Sequence, residues 1–200
     1  MARPRTITDD QLLSSAAEVL AEVGPSRFTL AKAATRAGVA PATYIKRFGT
    51  KLGLFLALNH RWVNTVAAGI DAAASKAAGV DRIRAAAMWG VAEMDVPEHA
   101  ANMLAALALD LQHPSMTALL DQGWVTWRER VGTHVSDAIA AGDLPHAPAP
   151  PVAAQMLFAL VEGTRLAWCV RPEGSLEHRV RQLIDELIST WSTPRSSGSG

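Results

Sequence analysis

The stretch Phe28-Thr29-Leu30-Ala31-Lys32-Ala33-Ala34-Thr35-Arg36-Ala37-Gly38-Val39-Ala40-Pro41-Ala42-Thr43-Tyr44-Ile45-Lys46-Arg47-Phe48-Gly49-Thr50-Lys51 decides how the whole chain is read. It holds two short helical patterns, each with its own start and stop. Thr29 can cap the first, which runs through Leu30, Ala33 and Ala34 and ends at Gly38. Pro41 suits the first turn of the second, where its missing N–H costs nothing, and Gly49 closes it. Two short helices across a tight glycine turn make a helix-turn-helix pattern, whose second helix enters the DNA major groove by its N-terminal end. Leu30, Val39 and Phe48 have the spacing of residues that lock the two helices together. Pro41, Ala42, Thr43, Lys46 and Arg47 are then left on the outer face.

Charge distribution points the same way. The net charge is zero, yet residues 1–61 carry nine Lys/Arg against four Asp/Glu, and residues 62–200 carry ten against fifteen. Between Glu22 and Asp71 there is no acidic residue. An anion-facing N-terminal module on a mildly acidic body follows, with an ordinary solvated basic face as the alternative.

Outward from this stretch the chain reads as helical throughout: alanine abounds, and apolar spacing follows 3 and 4 rather than 2. Thr8 and Gln11 have the spacing of a capping box opening a first helix that stops at Gly24-Pro25. Thr50 can cap a long fourth helix to about residue 78. Further helices are expected near 80–94, 97–112, 115–141, 151–170 and 175–191. The fold class is therefore all-α, with a three-helix DNA-binding domain over 1–50, a helical effector-binding and dimerisation domain over 51–195, and a flexible tail over 196–200.

Phe28-Thr29-Leu30, Ala37-Gly38-Val39, Pro41-Ala42-Thr43, Arg47-Phe48-Gly49-Thr50-Lys51 and Leu54-Phe55 resemble the N-terminal domain of tetracycline-repressor-type (TetR) transcriptional regulators. The resemblance is specific over about residues 8–60 and architectural beyond. It implies that Thr29 caps the second helix and approaches a phosphate, that Pro41, Ala42 and Thr43 face base edges, and that Lys51 binds a phosphate with the help of a helix N-terminus. Two positions depart from the family. The usual Leu-Tyr pair after the threonine is here Tyr44-Ile45, so Tyr44 is either a DNA contact or a packed residue. The usual capping serine is Ala40. Phosphate contact is then expected to shift to Lys46 and Arg47. Arg3 and Arg5 suit either a minor-groove arm or a basic terminus.

In the body, the last helix places Leu176, Val180, Leu183, Ile184, Leu187, Ile188 and Trp191 on one side. The helix before it is apolar over most of its circumference, which requires cover on two sides. A second copy of the chain is the simplest cover, with an internal helix of a larger monomeric core as the alternative; Gly163 would allow the copy's close approach, and a two-fold dimer through the last two helices could read a palindromic operator. By analogy with the family, Trp89, Met103, Leu107, Trp124, Trp127, Phe158, Glu162 and Trp168 are expected to line a pocket for a small, largely apolar or aromatic effector. Asp110, Gln112, His113, Asp121, Glu162 and Arg165 are the candidate polar anchors.

No nucleophile elbow, P-loop, dinucleotide fingerprint or zinc-protease motif occurs, and the histidines show no ligand spacing. No enzyme activity, cofactor or metal is expected. The single cysteine, Cys169, excludes an internal disulfide framework. Without a membrane span or signal-peptide pattern, a cytoplasmic protein is expected. The sequence thus reads as a ligand-responsive regulator of double-stranded DNA, most simply a repressor. The alternative is a small helical ligand-binding protein or enzyme without DNA affinity.

Overall fold

A computed structural model describes residues 7–192, and among these residues there are nine α-helices and no strand. Arg3, Arg5 and the tail 196–200 lie outside the described residues. The helices are α1 (Asp9–Arg27), α2 (Leu30–Ala37), α3 (Pro41–Phe48), α4 (Lys51–Ala74), α5 (Val80–Ala87), α6 (Pro97–Asp110), α7 (Pro114–Ala140), α8 (Pro150–Val170) and α9 (Leu176–Ser192), with a single 3₁₀ turn at Ala92–Met94.

Local chemistry sets most of these boundaries. The capping box opens α1: the Gln11 N–H donates to Thr8 Oγ1 at 3.2 Å and the Thr8 N–H to Gln11 Oε1 at 3.0 Å. Gly24 takes φ 70°, but α1 kinks there instead of stopping and continues to Arg27. Pro25 has no N–H to offer the Ala21 carbonyl, and Asn102 Nδ2 supplies the missing donor at 2.7 Å. Gly38 (φ 68°, ψ 31°) ends α2 in the left-handed region, and the Val39 N–H turns back to the Ala34 carbonyl at 3.0 Å. The single helix expected over 80–94 is divided, because after Ala87 the chain turns through Gly90 at φ 81° before the 3₁₀ turn.

The chain forms two compact units. The first comprises the residues up to Val63 together with Glu98–Leu120; the second comprises Asn64–Pro97 and the residues from Asp121 onward. This division is drawn differently from the boundary expected at 50/51: nearly all of α6, the start of α7 and the first half of α4 fall in the unit that holds α1–α3. The core of the first unit includes Leu12, Ala16, Val19, Phe28, Ala33, Ala34, Tyr44, Leu54, Phe55, Ala106 and Met116. Leu30, Val39 and Phe48 pack against it, as the helix-locking reading requires. Gly53 lets the start of α4 pass directly under the Phe48 carbonyl, an approach that any Cβ would prevent.

In the second unit α9 packs on α8 and α5. Leu176, Val180, Ile184, Ile188 and Trp191 make its buried stripe. The Asp95 carboxylate holds the start of α9, accepting from the Leu176 N–H at 2.5 Å, the Glu177 N–H at 3.3 Å and Ser175 Oγ at 2.8 Å. The side chains of α8 fall on three faces. Ala153, Ala154, Leu157, Val161, Thr164 and Trp168 are buried. Val152, Met156, Ala159, Gly163, Leu166 and Val170 form an exposed apolar stripe. Phe158, Glu162, Arg165 and Cys169, three and four residues apart, share the third face.

Candidate nucleic-acid interface and effector body

α3 is short, and its exposure pattern sorts its residues. Pro41, Ala42, Ile45, Lys46 and Arg47 are exposed, and Thr43 and Phe48 are half-buried. Tyr44 is fully buried and donates its hydroxyl to the Leu12 carbonyl at 2.7 Å, with its ring 5.8 Å from that of Phe48. Burial also pushes the phenol pKa upward. Tyr44 is therefore packed in the core, the second of the two readings open to it. Its neighbour Ile45 is the residue that sequence reasoning passed over: it is 56% exposed and extends the apolar surface begun by Pro41 and Ala42. A thymine methyl is the base group that such a surface can meet.

The basic residues divide into paired and free. Arg36 is held by Glu18 at 3.0 Å and Glu22 at 2.6 Å, Arg47 pairs with Asp9, and Arg61 reaches Asp10 at 3.4 Å. Much of the N-terminal excess of positive charge thus faces α1. Lys32 donates to the Arg27 carbonyl at 2.9 Å. Lys51 donates to the Pro25 carbonyl at 2.5 Å, and its ammonium lies 5.9 Å and 5.6 Å from the Phe28 and Phe55 ring centres. Among the described residues Lys46 makes no ion pair, which leaves its charge available to an external anion. Thr29 is exposed and caps α2, its Oγ1 accepting from the Lys32 N–H at 3.2 Å.

Ala40 leaves α3 without a side-chain cap, although its backbone (φ −72°, ψ 144°) already has the capping conformation. Ala40→Ser is expected to stabilise the helix by about 1 kcal/mol. That corresponds to a rise of roughly 2–4 °C in Tm for a chain of this size. An unchanged thermal melt would mean that the 2.9 Å bond from the Thr43 N–H to the Ala40 carbonyl already satisfies the helix start.

The expected pocket residues fall in both units. Met103 and Leu107 belong to α6 in the first, and the other six belong to the second. The structure brings together Trp124, Trp127 and Phe158: the Phe158 ring lies 5.4 Å from that of Trp124 and 5.5 Å from that of Trp127, both edge-on. Arg128, which the sequence did not single out, lies over the Phe158 ring at 5.4 Å. Trp89 lies against Gly69, and Trp168 sits on the core face of α8, donating its Nε1–H to the Gly174 carbonyl at 3.2 Å. Glu162 pairs with Arg165 one turn on, and burial raises its pKa more than that guanidinium lowers it. Of the other candidate anchors, Asp110 is buried at the end of α6, where burial pushes its carboxyl pKa up against the opposing effects of Asn59 and His113. No group of metal-ligating side chains occurs among the described residues, and none of their helices is long and apolar enough to cross a membrane.

A capped helix-turn-helix with a left-handed glycine in its turn, within an all-helical chain, is the arrangement of a DNA-binding regulator. Residues 12–58 match the description "Bacterial regulatory proteins, tetR family", and residues 79–191 match "BetI-type transcriptional repressor, C-terminal". The chain belongs to the tetR family of transcriptional regulators, so its role is regulation through DNA and not catalysis. Solved structures similar to this chain include a transcriptional regulator from Rhodococcus sp. Rha1 (20% identity, TM-score 0.70, covering 94% of this chain and 100% of that one). A second, from Saccharomonospora viridis in complex with choline, has 17% identity and a TM-score of 0.74, covering 90% and 94%. A third, FadR from Bacillus subtilis in complex with stearoyl-CoA, has 17% identity and a TM-score of 0.67, covering 91% and 98%. No curated protein matches the sequence.

Proposed function

We propose that the chain acts in the cytoplasm as a homodimeric repressor that binds a palindromic operator through α3 and leaves it when a small effector occupies the helical body. The observation that carries the dimer is the exposed stripe on α8. Val152 is 52% exposed, Met156 40%, Leu166 57% and Val170 82%, and a Cβ added at Gly163 would meet nothing within 4 Å. Leu183 of α9 is 41% exposed as well, so each of the two helices expected to dimerise carries exposed apolar side chains. A second copy would cover it, and two-fold symmetry would then present two copies of α3 to successive major grooves, roughly 34–36 Å apart on B-DNA. Release is a population shift: an effector that binds better to a protomer spacing unsuited to that distance lowers operator affinity. α4, which begins at Lys51 in the first unit and ends at Ala74 in the second, is the element through which we expect that shift to pass. The effector is a small molecule with a largely apolar or aromatic body, recognised near Trp124, Trp127 and Phe158. Choline and stearoyl-CoA in two structural relatives are examples of small ligands carried by this fold.

On the DNA side, we place Pro41, Ala42, Thr43 and Ile45 at base edges and Lys46 on a phosphate, with Thr29 and Lys51 alongside. Arg47 would reach a second phosphate by exchanging Asp9 for it. Selection of bound duplexes from a random pool tests this, followed by titration of the selected site over a range of salt concentrations. Lys46→Ala is expected to weaken binding uniformly across sequences and to lower the salt slope by about one, the value for a single phosphate that is no longer neutralised. A failure of wild-type protein to enrich any duplex at low salt would overturn the operator reading.

A further inference from the structure

The third face of α8 holds a cation whose hydrogen-bonding capacity is largely unused. The Arg165 side chain is only 13% exposed, and its planar head carries five N–H donors. Nη2 donates to Glu162, and Nη1 points at the Met94 sulfur at 3.2 Å, a weak acceptor. Nε is buried with no partner among the described residues. A buried donor without an oxygen acceptor carries a desolvation cost, and such groups mark places where a water, an ion or a ligand completes the structure.

We infer that Arg165 anchors the anionic group of a carboxylate-bearing effector, an assignment that rests on the reading above that the helical body binds one. The missing partners are all acceptors, and a carboxylate meets a guanidinium edge with two parallel bonds. Phe158 lies two turns back on the same face, with Trp124 and Trp127 edge-on to it. An apolar or aromatic body attached to the carboxylate therefore has a surface to lie against. The Glu162 carboxylate takes only Nη2, which leaves Nε and Nη1 to meet a second carboxylate. A cationic ligand fits less well: Arg165 occupies the Glu162 carboxylate, and the Arg128 guanidinium beside the Phe158 ring repels a second positive charge.

The probes are benzoate, phenylacetate and hexanoate, each paired with its primary amide, and choline. Full-length protein is read by thermal shift, tryptophan fluorescence and release of a selected operator. At least one carboxylate is expected to raise Tm and release DNA, binding at least tenfold more tightly than its amide. Arg165→Met should lose that preference, and Glu162→Gln, which removes the carboxylate competing for Arg165, should strengthen it. If Arg165→Met alone is too unstable to measure, the double variant Glu162→Gln/Arg165→Met removes both buried charges, and it too should show equal affinity for acid and amide. Equal binding of acids and amides by wild type, binding of choline alone, or an acid preference that survives in an Arg165→Met protein would overturn the assignment. Operator release by an amide or by choline would do so while leaving the effector reading intact. No release by any probe would overturn the assignment and count against the effector reading as well.

Discussion

Gly163→Glu is expected to yield a folded protomer that no longer dimerises and no longer holds its operator. Within the protomer the position is open, so the new side chain meets no atom within 4 Å of its Cβ. Glycine in the middle of a helix is less stable than alanine by about 0.5–1 kcal/mol, so a good helix former should leave α8 slightly more stable. In the proposed dimer this position would lie at the interface, since it sits in the middle of an apolar stripe that also carries Met156, Ala159, Leu166 and Val170. Two-fold symmetry would bury two carboxylates there, both without partners. An uncompensated buried charge costs about 3–5 kcal/mol, which is at least a hundredfold in the dimer dissociation constant. Sedimentation velocity should show monomer where the wild type is dimer, with unchanged helical content by circular dichroism. Operator affinity should fall at least as far, since each half-site is then held singly. A Gly163→Glu protein that remains dimeric and binds DNA normally would remove α8 from the interface.

What the sequence made legible was what local chemistry decides. Thr8 with Gln11, Thr29, Gly38, Pro41 and Gly49 mark helix ends through hydrogen bonds and φ preferences that span a few residues, and the structure uses each of them as read. Contacts between distant segments were not legible. Arg36, Arg47 and Arg61 stand in an acid-free stretch, yet their partners Glu18, Glu22, Asp9 and Asp10 lie just before it on α1. A linear count of charge therefore overstates the free cations and gives no reason to single out Lys46. The kink at Gly24 depends on Asn102, whose amide replaces the N–H that Pro25 lacks. In the second unit the aromatic residues could be named from the sequence, but only the fold brings Phe158 to Trp124 and Trp127 and leaves Trp168 in the core.

Tyr44 shows most sharply how one residue can be read in two ways, and its variants separate a core role from a DNA role by the sign of two measurements. The neighbours Tyr44 and Ile45 differ by about 100° around a helix, so α3 can bury one and expose the other. The fold buries the tyrosine, because its hydroxyl finds the Leu12 carbonyl 32 positions earlier. Tyr44→Phe removes that bond at a cost of about 0.5–1.5 kcal/mol. Tyr44→Ala also leaves a cavity under α3, and by comparison with other aromatic truncations costs about 3–5 kcal/mol. Both losses should appear in denaturant unfolding, while operator affinity of the still-folded Tyr44→Phe protein stays within about twofold of wild type. A phosphate contact would give the reverse: weaker DNA binding at unchanged stability. Because the chain has a single tyrosine, alkaline titration of phenolate absorbance reports this group alone. Burial raises its folded pKa above the ordinary value near 10, so the buried proton contributes stability that is intact below about 10 and lost as pH rises through the raised value. Phenolate should therefore appear together with unfolding of the first unit. Titration at the ordinary value in fully folded protein would place the hydroxyl in water, on the DNA side of α3.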